Sequence, residues 1–131
     1  MGTAGLTRAH LILASDRVAR GEREDRTASG VQEVLSGAGV TLEQVTAVPD
    51  ELDALREAIH EACAGADLVL TSGGTGIGPR DVTPEATRAV IQREIPGLGE
   101  AMRAASLDKV PTASLSRALA GCVGSTLVVN L

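Results

Sequence analysis

TSGGTGIGPRDVTP, residues 71–84, places four glycines, four hydroxyl side chains and an Arg-Asp pair between a short apolar run and a helix-start signal. The preceding residues 67–71 have the continuous apolar character of a strand buried on both faces. The following Thr83-Pro84-Glu85 supplies an N-cap, a Pro at the first helical position and an early acid, so a helix is expected to run toward Glu94. A glycine-rich turn between strand and helix has the position of a phosphate cradle. Gly73, Gly74, Gly76 and Gly78 let successive backbone N–H groups turn toward one point, and Ser72 and Thr75 add hydroxyl donors. Two familiar nucleotide loops do not fit. A Walker loop needs Lys after its last glycine, where Pro79 and Arg80 stand, and a dinucleotide fingerprint needs a third glycine where Pro79 stands. A tight turn with no ligand is the plain alternative.

Outward from this segment the same alternation repeats. Residues 10–14 read as a buried strand ending at the polar tip Ser15-Asp16-Arg17. Val31, Val34, Leu35 and Ala38 fall at helical spacing, with Ser29 as a candidate N-cap. Residues 40–48 form a second strand, broken by Pro49-Asp50. Leu52, Leu55, Ile59, Ala62 and Cys63 then make the apolar stripe of another helix. Ile95-Pro96-Gly97 stops the helix that begins at Thr83. Helices at 98–105 and 112–120 and a last strand at 126–130 complete the chain. Strands joined by helical crossovers imply an α/β fold, a three-layer α/β/α arrangement with a mostly parallel sheet and ligands at the carboxyl ends of its strands. One domain over residues 1–131 is expected from the length.

The chain has no Phe, Tyr or Trp. A planar ligand therefore cannot be sandwiched between aromatic rings, and the usual stacking platforms for single-stranded nucleic acid are missing. A formal net charge of −5 argues further against a nucleic-acid partner. Apolar runs are too short to span a bilayer and no signal peptide is evident, so a cytoplasmic protein is expected. Cys63 and Cys122 lack metal-ligand spacing and read as small buried residues in a reducing compartment.

Asp50 and Asp81 each follow a strand, and in a parallel sheet both would project at one carboxyl edge, where together they can hold Mg²⁺ beside a phosphate. Taken singly, either is equally a turn or cap residue. Arg17 is placed to meet a phosphate. The charged loop with Arg20, Glu22, Arg23, Glu24, Asp25 and Arg26 reads as a solvated face, and Ser116-Arg117, from the residues alone, as a surface pair. His10 and His60 are poorly placed for catalysis, and no nucleophile-His-acid set is evident.

In their order along the chain, Ser15-Asp16-Arg17, Val48-Pro49-Asp50-Glu51, the segment TSGGTGIGPRDVTPEAT from Thr71 to Thr87, Glu94-Ile95-Pro96-Gly97 and Leu115-Ser116-Arg117 resemble the MogA/MoaB family of molybdenum cofactor biosynthesis. The resemblance covers nearly the whole chain and implies a molybdopterin-binding-like fold. It implies adenylylation of molybdopterin by Mg-ATP, with pyrophosphate released. Matched by motif, Asp50 and Asp81 would be the carboxylates around Mg²⁺ and the reacting phosphates, and Ser72, Gly73, Gly74, Thr75 and Gly76 would contact the anionic ligand. Ser15, Asp16 and Ser116 would bind substrate, the last two on the pterin side. The resemblance also implies a homo-oligomer, trimer or hexamer, and a molybdenum insertase as a partner. Some MoaB relatives bind without catalysing, so a non-catalytic molybdopterin-binding or carrier role is the alternative. The family pattern continues past the final strand with a Pro-Gly loop and a closing helix, and this chain stops at Leu131.

Overall fold

The computed structural model describes residues 5–22 and 26–131. The loop residues Arg23, Glu24 and Asp25 lie outside these. In chain order the elements are β1 (Arg8–Ala14), α1 (Asp16–Ala19), α2 (Thr27–Gly37), β2 (Thr41–Val48), α3 (Leu52–Cys63) and β3 (Leu68–Ser72). There follow α4 (Thr83–Arg88), β4 (Arg93–Glu94), α5 (Pro96–Leu107), a 3₁₀ turn (Pro111–Leu115), β5 (Ala120–Val123) and β6 (Thr126–Asn130). The six strands form one sheet in the order β2-β1-β3-β6-β5-β4. β2, β1, β3 and β6 are parallel neighbours, while β5 runs antiparallel to both β6 and β4.

Both faces are covered, as the apolar runs require. On β1 the period-two alternation sends Leu11 and Leu13 to one face, against Leu35, Val40, Leu70 and Val129. Ile12 and Ala14 go to the other, against Leu55, Ile59, Val69 and Val128. Leu55 and Ile59 are one helical turn apart on α3 and fully buried. Burial of each contributes about 1.5–3 kcal/mol.

The chain passes from β1 to β2 on one side and then back across β1 to β3 on the other. The crevice outside the carboxyl ends of β1 and β3 is therefore a switch point, where ligands of parallel sheets bind.

Two expectations for the second half of the chain are corrected. The helix beginning near Thr83 stops at Arg88 instead of continuing toward Glu94. Gln92 N–H then donates to the Cys122 carbonyl at 2.8 Å and Ile95 N–H to Ala120 at 2.7 Å, so the segment adds a strand to the sheet edge. Ile91 packs where a side chain at residue 121 would stand, and Gly121 leaves that space open. The helix expected at 112–120 is only the 3₁₀ turn, and Ala120–Val123 pairs with Thr126–Asn130 as a hairpin. Two smaller differences concern caps. Thr83 is the first residue of α4 instead of its cap, and α2 begins two residues before Ser29.

Candidate active site

Three strand ends meet at the switch point. Ser15 N–H donates to the Val48 carbonyl at 3.0 Å, tying the tip of β1 to that of β2. The Ser15 hydroxyl caps α1 by accepting from Val18 N–H at 3.3 Å. Asp16 and Asp50 then exchange bonds: Asp50 N–H donates to Asp16 Oδ1 at 2.9 Å, and Asp16 N–H to Asp50 Oδ2 at 3.2 Å. The Asp50 N–H, followed by the Arg80 guanidinium, holds the Asp16 carboxyl below the usual carboxylate range. Burial, with the charges of Asp16 and Asp81 behind it, pushes the Asp50 carboxyl above that range.

The glycine loop is folded back on the start of α4. Gly73 and Gly74 have φ of 95° and 71°. A Cβ on Gly73 would overlap the Ala14 carbonyl, and one on Gly74 would overlap the Thr83 hydroxyl. Four successive loop carbonyls are engaged: Gly73 by the Thr83 hydroxyl at 2.9 Å, Gly74 by Thr83 N–H at 3.1 Å, Thr75 by Arg117 N–H at 2.8 Å and Gly76 by Arg117 Nε at 2.8 Å. Among the described residues, the N–H groups of Gly74, Thr75 and Gly76 find no acceptor, nor do the hydroxyls of Ser72 and Thr75. A run of backbone donors with its carbonyls tied away is chemically suited to an anion.

Asp81 closes the loop. Its Oδ2 accepts from Gly78 N–H at 2.9 Å and its own N–H donates to the Gly78 carbonyl at 3.1 Å. Cβ atoms built on Gly76 and Gly78 would lie 2.8 and 3.0 Å from that same Oδ2. A Cβ on Gly74 would lie 3.4 Å from Asp50 Oδ1. The two carboxylates therefore flank the glycine run, as expected of a shared edge.

Beneath the loop lies a buried polar network. Asn130, at the end of β6, donates through Nδ2 to the hydroxyls of Thr71 and Thr87, both at 2.9 Å, and accepts from Leu119 N–H at 3.2 Å. The Thr87 hydroxyl donates to the Thr83 carbonyl at 2.8 Å. Among the described residues no buried side-chain polar atom lacks a partner.

Sequence reading missed Arg80, Arg117 and Asn130. Arg80 meets the Asp16 carboxylate. Arg117 is no free surface residue: beyond the Thr75 and Gly76 carbonyls it donates from Nη2 to the Asp81 carbonyl at 2.7 Å and pairs with Glu85 at 2.5 Å. Among the described residues, Ser116 makes no hydrogen bond to Asp50 or Asp81. It lines a cleft of about 340 Å³ together with Arg88, Glu94, Gly99, Arg103 and Arg117, and its hydroxyl accepts from Ala118 N–H at 3.2 Å.

A hard divalent cation suits the donors at the edge. Mg²⁺ is generally held by one or two carboxylates together with substrate phosphates and water, and Asp50 and Asp81 are two carboxylates beside the glycine loop. Among the described residues no group of three or more Asp, Glu, His or Cys forms a cage of its own. The site thus fits a cation arriving with a polyphosphate.

Fold and site together define an α/β protein with a glycine loop and two carboxylates at the carboxyl edge of a mostly parallel sheet. Residues 10–131 match the family model described as "Probable molybdopterin binding domain", and the chain belongs to that family. It is 45% identical over 125 residues to the molybdopterin adenylyltransferase of Helicobacter pylori strain J99, covering 92% of this chain and 71% of that protein. With the Escherichia coli K12 molybdopterin adenylyltransferase it shares 41% identity over 125 residues, covering 92% of this chain and 64% of that protein. The structure of the molybdopterin biosynthesis enzyme MoaB from Thermus thermophilus is similar at a TM-score of 0.89 and 44% identity, covering 96% of this chain and 80% of that one.

Proposed function

We propose that this chain is a molybdopterin adenylyltransferase, in which the terminal phosphate oxygen of molybdopterin attacks the α-phosphorus of ATP and pyrophosphate leaves. The observation that carries this reading is the glycine loop whose carbonyls are held by Thr83 and Arg117 while Asp50 and Asp81 flank its free N–H groups. Ser72 to Gly76 bind the anionic ligand through backbone and hydroxyl donors already fixed in place, which stabilises charge without reorganisation at the moment of reaction. Ser15 and Asp16 order the neighbouring strand tip, and Asp16 and Ser116 mark the pterin side. Asp50 and Asp81 would hold Mg²⁺, which would supply positive charge to offset that on the reacting phosphates and the leaving pyrophosphate. Without a counter-charge, ionised Asp50 would repel the same ligand.

The reading extends to residues 1–131 acting as one domain of a cytoplasmic homo-oligomer, trimer or hexamer, that passes its product to a molybdenum insertase. The exposed apolar side chains of Val34, Ile77 and Leu115 are available for such contacts. Among the described residues no helix is long and apolar enough to cross a membrane.

The test is pyrophosphate release with molybdopterin and Mg-ATP, each omitted in turn. Release is expected only with both present and is lost in Asp50→Ala and Asp81→Ala. Saturable pterin binding with no release would assign the carrier role instead.

A further inference from the structure

Arg80 reaches across the mouth of the crevice to a residue sixty-four positions earlier in the chain. Its Nη2 lies 2.9 Å from both Asp16 carboxylate oxygens, and its Nε is 3.2 Å from Oδ2. The Arg80 side chain is 60% exposed and that of Asp16 25%. An isolated surface pair of this kind contributes little to stability. What distinguishes this one is what Asp16 does with its remaining capacity. The same Oδ1 that takes Arg80 Nη2 also takes the backbone N–H of Asp50, and the Asp16 N–H returns a bond to Asp50 Oδ2. Oδ2 of Asp50 is thereby occupied, and its other oxygen, Oδ1, is the one beside Gly74.

We propose that Arg80 is a positioning residue that acts through Asp16 to fix Asp50, so that Asp50 Oδ1 faces the glycine loop. The inference rests on the adenylyltransferase reading for the use made of Asp50, although the linkage itself does not. Asp50 feels the negative charges of both Asp16 and Asp81. One cation committed to Asp16 removes the charge that would otherwise turn Asp16 away from Asp50, and it leaves Asp50 and Asp81 for the ligand. Arginine suits the task because two of its nitrogens, Nε and Nη2, engage the Asp16 carboxylate from one rigid plane, where an ammonium offers a single nitrogen on a flexible stem.

The deciding experiment measures the Asp50 backbone amide by NMR hydrogen exchange, alongside pyrophosphate release, in Arg80→Ala, Arg80→Lys, Asp16→Ala and the double variant Arg80→Ala/Asp16→Ala. In Arg80→Ala the Asp50 amide is expected to exchange about tenfold faster, the scale of one charge-assisted hydrogen bond, with the core amides of Leu11 and Val69 unchanged. Turnover should fall about tenfold with the KM for ATP within about twofold, and Arg80→Lys should recover only part of it. The double variant should be no slower than Asp16→Ala, because both substitutions cut one linkage. An Asp50 amide unaffected in Arg80→Ala would overturn the proposal. So would losses that multiply in the double variant, or a raised KM for ATP at unchanged turnover, since Arg80 would then act on the nucleotide directly. If the unsubstituted chain released no pyrophosphate, the adenylyltransferase reading would fail while the amide measurement still decided the linkage.

Discussion

Arg117 donates from Nη2 to the Asp81 carbonyl at 2.7 Å, thirty-six residues away along the chain. With its Nε on Gly76 and its N–H on Thr75, one residue shortly after the 3₁₀ turn fixes both ends of the glycine loop. Arg117→Ala should therefore cost about 1–3 kcal/mol, read as a lower denaturant midpoint at constant m-value. Turnover should fall by about 10²-fold through misplacement of the loop. Arg117→Lys should rescue neither effect, because a single ammonium cannot hold two carbonyls and Glu85 together.

Gly73 and Gly76 make a discriminating pair. Gly73→Ala places a methyl group against the Ala14 backbone at a φ of 95°, so a loss of more than about 1 kcal/mol is expected. At Gly76 the obstruction is the carboxylate end of Asp81, 2.8 Å from the built Cβ, which can swing aside. Gly76→Ala should melt within about 2 °C of the parent, for a change below about 0.5 kcal/mol, yet lose pyrophosphate release because Asp81 is displaced. Thermal melts run beside the enzyme assay separate the two cases.

Asn130→Ala should destabilise by at least about 1–3 kcal/mol, since it strands the buried Leu119 N–H and removes a donor from two threonine hydroxyls. Thr87→Ser, which keeps the hydroxyl, should cost less than Thr87→Val, which leaves Asn130 Nδ2 one acceptor short. Chemical denaturation of the three variants checks the order.

The acids divide by sign. Asp67, held by the N–H groups of Thr7 and Arg8, titrates below its ordinary 3.8, so its stabilising effect is full above that value and lost as pH falls through the lower folded value. The melting gap between the parent and Asp67→Asn should accordingly be widest near neutral pH and close as pH falls below the ordinary 3.8 and through the lowered folded value. Asp50 is raised above 3.8, chiefly by burial, so its ionised form weakens the fold above the raised value and not below 3.8. Asp50→Asn should therefore melt higher than the parent at pH 7, lose that gain toward pH 3, and be inactive.

The first half of the chain is legible, apart from the single turn of α1, which reads as a polar strand tip, because its longer elements carry their own signals. The continuous apolar runs of β1 and β3, the Leu55-Ile59 stripe and the break at Pro49-Asp50 all lie where the strands and helices form. The second half misleads where tertiary pairing overrides local preference. The residues after Arg88 leave the helix because Cys122 and Ala120 offer carbonyls that only the folded sheet brings near. One signal was available: Gly124-Ser125 is a two-residue link between Val123 and Thr126, a hairpin mark, and Gly124 takes φ 57° there. At the site, the glycine loop and the acids Asp50 and Asp81 are readable from type and spacing. Arg80, Arg117 and Asn130 are not, because each works on partners dozens of residues distant, and a lone Arg or Asn has no periodic pattern.

The most direct test of the adenylyl-transfer account follows the α-phosphate of ATP. With ATP labelled at that position, molybdopterin and Mg²⁺, the account predicts that label moves onto the pterin in step with pyrophosphate, and that Asp50→Ala and Asp81→Ala, folded and monitored in parallel, transfer none. Label remaining in ATP, or transfer undiminished in both variants, would contradict it.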